Sequence, residues 1–433
     1  MEFPLNRQIG YASGNFGKSL LWTSLDYLLL FYLTEVAGLP VAWAGVIILV
    51  SLLWDAAINP FIGYWIDRRA SRGRDYRPFL RWAPIASGCG FVALFWLPSD
   101  QSHVNAAYLL VALFGFRTAY ALLDVPHNAL LAHMPVSSAM RMRLAGMRFF
   151  FSSLGGLVVA VTVAPQFAED ASPSTRDALL SMSMVAAVLL CLTVWQSLRP
   201  SREAIVERDH ASAPLSPSIF MTAIFRSEAA LLYLVLAGLF ATTTPLFAKI
   251  LPYYLSYVTS NSTSLASLLT ALTVGQIVAL PVWTALLSRF QPALIGTVAL
   301  SGLAFSLLVQ VPAMEIQSAL TVLVTASVGF FLSGAVQVIW GLSGDVADRI
   351  ASKTGMRVDG GVLAFLTLVQ KAALGLGAIT AGIALEASGF ESGAQQSDMT
   401  ARMIQIFAMF VPAFGAIAAA LILTRLCKAL GQK

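Results

Sequence analysis

Long apolar runs recur along this chain, each about the length of a bilayer-spanning helix and each closed by a short polar break. A helix needs about 20 apolar residues to cross the hydrocarbon core, whereas strands of a membrane barrel would alternate polar and apolar positions, which these runs do not. The pattern predicts helices over 9–36, 41–66, 79–98, 104–134, 145–165, 176–197, 228–257, 264–288, 292–312, 317–344, 361–388 and 403–427. The chain therefore reads as an all-α membrane protein of twelve transmembrane helices. They fall into a six-helix bundle over 1–197, a cytoplasmic linker over 198–227 and a second six-helix bundle over 228–433. Arg202, Glu203, Glu207, Arg208, Asp209, Pro214 and Pro217 mark the linker as a solvated tether.

Composition agrees with the pattern. The 433 residues are 58% hydrophobic and 11% charged, against roughly a quarter charged in a soluble domain, which excludes soluble packing. The basic residues sort by side. With both termini cytoplasmic, Arg7, Arg68, Arg69, Arg72, Arg74, Arg77, Arg141, Arg143, Arg349, Arg357 and Arg425 lie inside, and Arg176 and Arg402 lie outside. That asymmetry orients the helices. It also accounts for a pI near 9.2 without a nucleic-acid partner. Cys89, Cys191 and Cys427 lack metal or redox spacing and read as apolar packing residues. Asn261-Ser262-Thr263 is a formal sequon on an expected external loop.

Met142-Arg143-Leu144-Ala145-Gly146 opens the fifth helix and Met356-Arg357-Val358-Asp359-Gly360 the eleventh, 214 residues later. An echo at almost half the chain length suggests a duplicated six-helix unit, and such halves surround a cavity near the bilayer midplane.

Ionisable residues inside the spans sharpen the picture, since a charge at the bilayer centre costs about 2.5 kcal/mol or more. Lys18, Asp26, Asp55, Arg117, Asp124, Arg148 and Lys371 lie inside, with Lys249 nearer a helix end. So many in one chain argue for a water-lined polar cavity. Arg117, Tyr120, Asp124 and Asn128 form a polar stripe on the fourth helix, and Asp55 and Asn59 stand one turn apart before Pro60 on the second. On the first helix Ser19 and Asp26 share a face, with Lys18 beside Ser19. Carboxylates offer hard oxygen ligands to a small cation, or a site for a proton, which makes Asp55 and Asp124 candidates for a coupling ion, Na+ or H+. The alternative is that they neutralise Arg117, Arg148 or Lys371. Five cations, Lys18, Arg117, Arg148, Lys249 and Lys371, stand against three carboxylates, Asp26, Asp55 and Asp124. The excess points to an anionic solute such as an acidic sugar, unless Lys249 and Arg148 snorkel to the interfaces.

Several of these residues carry a family resemblance. Tyr11-Ala12-Ser13-Gly14-Asn15-Phe16-Gly17-Lys18, Trp54-Asp55-Ala56-Ala57-Ile58-Asn59-Pro60-Phe61-Ile62-Gly63 with Asp67-Arg68, Leu123-Asp124-Val125-Pro126, Arg148-Phe149-Phe150, Asp345-Val346-Ala347-Asp348, Thr354-Gly355-Met356-Arg357 and Gln370-Lys371 run through most of the chain. Together they resemble the glycoside-pentoside-hexuronide:cation symporters of the major facilitator superfamily. The resemblance implies the major facilitator fold and cation-coupled symport of a sugar or glycoside. By it, Asp55 is a cation ligand, Asp124 touches both cation and sugar, and Lys18, Tyr120 and Arg148 contact the sugar, with Lys371 near the ion. Cation-binding candidates are thus Asp55, Asn59, Asp124 and Lys371. Substrate-binding candidates are Lys18, Ser19, Asp26, Arg117, Tyr120, Asp124, Asn128 and Arg148. Departures bear on the ion. The family pattern has aspartates where Asn59 and Ser19 stand and a threonine ligand where Ala121 stands, which leaves proton coupling open beside sodium. The tryptophan of the family's sugar pocket is replaced by Asn128, while Arg117 and Asp26 are additions.

The expected cycle rocks the two bundles about the site by alternating access. Asp67, Arg68, Arg74, Asp345, Asp348 and Arg357 would form the inner gate, or serve only to orient the helices. No cofactor is expected beyond the coupling ion. The chain is expected to work as a monomer among membrane lipid, multi-pass in a bacterial inner membrane. Two rival readings stand beside this one. Gly341-Leu342-Ser343-Gly344 resembles the serine motif of an intramembrane hydrolase, but no histidine follows it. A lysophospholipid or amphiphile carrier on the same fold is the other.

Overall fold

The computed structural model describes residues 4–70, 78–97, 102–133, 138–167, 173–199, 225–258, 264–316, 319–354 and 359–431. Among them no strand occurs, as lipid demands: with no water to bond the backbone, helices that satisfy their own N–H and C=O groups are what can span. Twelve spans result. In the first half they are α1 (Leu5–Phe31, running on as a π turn over Tyr32–Val36), α2 (Val41–Ala70), α3 (Phe79–Phe95), α4 (Ser102–His133), α5 (Ser138–Thr162) and α6 (Pro173–Leu198). In the second they are α7 (Glu228–Thr243 and Leu246–Tyr257), α8 (Leu265–Leu287), α9 (Pro292–Ile316), α10 (Ala319–Thr354), α11 (Asp359–Ala387) and α12 (Asp398–Gln405, a π turn Ile406–Phe410, then Val411–Leu430).

Ten of these are both long and apolar enough to cross a membrane, and Phe79–Phe95 is apolar but shorter. The helix left out is α1, whose Asn15, Lys18, Ser19, Thr23, Ser24 and Asp26 dilute its apolar residues. Its polarity faces protein: Lys18 and Ser24 are buried in the packed interior. Local chemistry sets the breaks. Gly38, at a φ of 71° that a side chain would disfavour, turns the chain from α1 into α2. Ser227, Ser264 and Ser397 accept backbone N–H groups at the starts of α7, α8 and α12. Thr244-Pro245 divides α7 into two segments, because proline has no N–H to continue the ladder.

The chain separates into two compact units, Met1–Ala211 and Ser212–Lys433. Within the first, α1 packs on α5 and α6, α3 on α4 and α6, and α2 on α4. Within the second, α7 packs on α11 and α12, α9 on α10 and α12, and α8 on α10. The order is the same with every helix number raised by six. A close backbone approach corresponds too: a Cβ on Gly155 of α5 would meet the Phe16 carbonyl of α1, and one on Gly377 of α11 the Thr242 carbonyl of α7. Most of the expected tether, the sequon at 261–263, Arg74 and Arg357 lie outside the described residues.

Of the cysteines, Cys427 is buried, Cys191 half-buried and Cys89 exposed. The packing role expected of all three therefore fails for Cys89, which sits on the outer face of α3.

Candidate substrate and ion site

The polar residues of α1, α4 and α5 converge. Lys18, whose burial leaves 4% of its surface exposed, donates from Nζ to Asp124 Oδ1 at 2.7 Å and to Asn128 Oδ1 at 3.2 Å. Asn128 Nδ2 donates in turn to Asp124 Oδ2 at 2.9 Å. Arg148 reaches the same cluster from α5, its Nη2 donating to Asn128 Oδ1 and its Nε to Asn15 Oδ1 at 3.0 Å. Its guanidinium also lies 5.8 Å from the centre of the Tyr11 ring. The carboxamide of Asn128 is thus oriented by charge, with two cations on its oxygen and a carboxylate on its nitrogen.

Helical geometry explains the convergence. Tyr11, Asn15 and Lys18 follow one another at four and three residues on α1, and Arg148 and Ser152 at four on α5. The two helices can touch because Gly155 has no side chain, so α5 approaches the α1 backbone at Phe16. Asn15 Nδ2 donates to Ser152 Oγ at 3.3 Å, and the Ser19 hydroxyl donates to the Ser152 carbonyl at 2.6 Å. Ser19 thereby ties α1 to α5. Tyr120 closes the floor by donating to the Lys18 carbonyl at 3.2 Å. Pro126 on α4, two residues beyond Asp124, interrupts the helix ladder beside the cluster.

A second group lies between α1, α2 and α4. Arg117 is 3% exposed and Asp55 1%. The carboxylates of Asp55 and Asp26 both act electrostatically on the Arg117 guanidinium, which rests 5.0 Å from the centre of the Trp22 ring. Trp54 Nε1 donates to Thr118 Oγ1 at 2.8 Å and holds α2 to α4 next to Asp55. Among the described residues, Arg117 Nε and Nη1 and the carbonyl oxygen of Asn59 are buried without a hydrogen-bond partner. The phenol of Tyr120 feels the charges of both groups, Asp124 and Arg148 on one side and Asp55 and Arg117 on the other. Among the described residues no cluster of three or more His, Cys, Asp or Glu side chains is suited to a metal.

Of the residues singled out from sequence, Lys18, Tyr120, Asp124, Asn128 and Arg148 come into direct contact, and Asp26, Asp55 and Arg117 form the neighbouring group. Lys371, half-buried on α11, and Lys249, buried on α7, belong to the second unit. Asp345 and Asp348 stand on the last turns of α10, with Asp348 exposed. Asp67 and Arg68 lie on α2, with side chains outside the described residues.

Sequence reasoning missed Asn15, Ser152, Trp22 and Tyr11 as parts of the site, although helical spacing from Lys18, Arg148 and Asp26 would have found all four. It also gave no role to His127. That side chain is fully buried, stacks on Tyr11 at 5.5 Å, and pairs its Nε2 with Ser197 Oγ at 2.9 Å.

Known proteins bear out the overall reading. An isoprimeverose transporter of Lactiplantibacillus pentosus is 23% identical over 425 residues, covering 95% of this chain and 86% of that one. A glucuronide carrier protein homolog of Escherichia coli (strain K12) is 24% identical over 412 residues, covering 93% and 88%. A putative sulfoquinovose importer of the same organism is 25% identical over 440 residues, covering 97% and 90%. Among solved structures, a D-xylose-proton symporter shares the fold with a TM-score of 0.67 at 13% identity, covering 97% of this chain and 96% of that one. These likenesses are to transporters and agree with the absence of any expected enzyme role. Residues 10–427 match the family described as MFS/sugar transport protein, and the chain belongs to that family, among its glycoside-pentoside-hexuronide:cation symporters.

Proposed function

We propose that this chain is a symporter that carries a sugar or glycoside bearing an acidic group, a uronide or sulfo-sugar, together with Na+ or H+, by alternating access. One observation carries the preference for an anion. Lys18 and Arg148 converge on the single amide oxygen of Asn128, with Asp124 as the carboxylate in hydrogen-bond contact. Two cations against one carboxylate leave this cluster one positive charge in excess, and a carboxylate or sulfonate on the solute neutralises it. The relatives named for a glucuronide and for sulfoquinovose support this reading, while the isoprimeverose transporter shows that the family also contains carriers named for an uncharged sugar.

In this reading Lys18, Tyr120, Asp124, Asn128 and Arg148 grip the solute. Asp55, Asn59 and Asp124 with Lys371 serve the coupling ion, and Ser19, Asp26 and Arg117 complete the pocket. Asp67, Arg68 and Arg74 with Asp345, Asp348 and Arg357 form the inner gate. The protein works as a monomer in a bacterial inner membrane with both termini in the cytoplasm. The test is uptake into proteoliposomes of a panel of uronides, sulfo-sugars and neutral glycosides, with a sodium or proton gradient imposed separately. Accumulation of acidic sugars alone supports the proposal; accumulation of neutral sugars alone overturns the anionic preference.

A further inference from the structure

We infer that Arg117 stands in for the metal cation at Asp55, so that this carrier binds and uses no sodium ion. The inference rests on the reading of Asp55 as part of the coupling site, and it narrows which ion that site takes.

Sodium is a hard cation that needs several oxygen ligands converging on one point. The oxygens that would be offered here are compromised one by one. Asp124 has both carboxylate oxygens engaged, Oδ1 by Lys18 at 2.7 Å and Oδ2 by Asn128 at 2.9 Å. Ala121 brings no side-chain oxygen, and Asn59 brings a neutral carbonyl oxygen in place of a carboxylate. What remains is Asp55, and the Trp54–Thr118 bond of 2.8 Å brings its stretch of α2 against that of Arg117 on α4, whose buried guanidinium lies within electrostatic reach of the carboxylate. A sodium ion placed there would meet like charge in a poorly screened interior.

Arg117 is built to stay. Its guanidinium lies against the face of Trp22, an arrangement that favours a cation. It stands where the charges of Asp55 and Asp26 both reach it, one from α2 and one from α1. A bound metal ion would draw those helices together around α4 in the same way. Yet Nε and Nη1 of Arg117 and the Asn59 carbonyl oxygen lack partners among the described residues. Buried donors and acceptors rarely stay unsatisfied.

A merely structural arginine, present to neutralise Asp55 and Asp26, predicts a different response to its removal, so an experiment separates the two. Purified full-length protein is titrated with NaCl against choline chloride at constant ionic strength while tryptophan emission is followed, Trp22 and Trp54 being the reporters beside the two charged groups. The native chain is expected to give no saturable sodium response. Arg117→Ala, which empties the place, is expected to gain one, and Arg117→Lys, which keeps the charge, is expected to stay silent. Uptake of the transported sugar should run equally in sodium and choline for the native chain and rise at least several-fold with sodium for Arg117→Ala. A saturable millimolar sodium response in the native chain that Asp55→Asn abolishes overturns the inference. So does a folded Arg117→Ala that binds sodium no better than the native chain. If Arg117→Ala does not fold, Arg117→Gln replaces it, and the native titration decides alone if neither folds. Because the titration needs no sugar, failure to find a transported sugar would count against the proposed function and leave the sodium result standing.

Discussion

Lys18 and Asp124 are separated by 106 residues of sequence, yet their charged atoms meet at 2.7 Å between α1 and α4. The lysine side chain is 5% exposed and the aspartate 33%, so the pair is held mostly out of water. Removing one partner of such a pair leaves a charge uncompensated, at about 3 kcal/mol. Lys18→Ala should therefore lower the melting temperature by several degrees and abolish sugar binding. Lys18→Ala with Asp124→Asn should recover the melting temperature but not the binding. Thermal unfolding in detergent alongside a binding assay checks both, and recovery of binding in the double variant would show that the pair serves packing alone.

Arg148 makes its two hydrogen bonds with different nitrogens, Nε to Asn15 and Nη2 to Asn128. Lysine keeps the charge but cannot reproduce that fork. A charge-assisted bond is worth about 1.5–3 kcal/mol, so Arg148→Lys should weaken binding of an acidic sugar by roughly 10- to 100-fold. Its effect on a neutral glycoside should be smaller. Competition binding with matched acidic and neutral sugars measures the difference.

Asp55 sits almost fully buried one residue from the Trp54–Thr118 bond. If it carries the coupling step, Asp55→Ala can equilibrate solute but not concentrate it. The accumulation ratio should fall to unity while exchange of labelled for unlabelled sugar persists. Coupling between ion and solute is reciprocal and typically worth about 1–3 kcal/mol, so the loss should also appear as a weaker apparent affinity for sugar. Undiminished accumulation would remove Asp55 from the ion site.

Packing and affinity should prove linked at Gly155. A Cβ there would sit 2.8 Å from the Phe16 carbonyl and 3.0 Å from Ser19 Cβ, distances a side-chain shift cannot relieve because one neighbour is backbone. Gly155→Ala should cost about 1–3 kcal/mol through overpacking and, by separating Ser152 from Asn15 and Ser19, weaken sugar binding as well. Gly146→Ala, where a Cβ meets nothing within 4 Å, is the control.

Most of the fold was legible because hydrophobic runs of helical length have one solution in lipid. Boundaries drifted where a helix outlasts its apolar stretch. The expected end of α10 was 344, but the helix continues to Thr354 with Asp345, Asp348 and Arg349 on its last turns, since charge ends hydropathy without ending hydrogen bonding. The break in α7 has a visible cause in Pro245, while the π turns in α1 and α12 have no simple sequence mark. Within the site, intramembrane charge singled out Lys18, Asp55, Arg117, Asp124 and Arg148 one at a time. Which of them pair is decided by helix packing, and a single sequence does not encode that in any local pattern. Neutral partners such as Asn15 and Ser152 carry no charge of their own, and only their helical spacing from Lys18 and Arg148 marks them.

The polarity of α1 also bears on how the protein is made. A lysine or aspartate at a helix centre opposes insertion by about 2.5–3.5 kcal/mol, and α1 carries Lys18 and Asp26 in one segment. The group that neutralises Lys18 is synthesised more than a hundred residues later, on α4. Until the fourth helix emerges, a first helix in lipid would carry both charges unpaired, which favours its staying beside the insertion machinery. The order of translation would thus set a minimum length of chain before the amino-terminal half can leave for the bilayer.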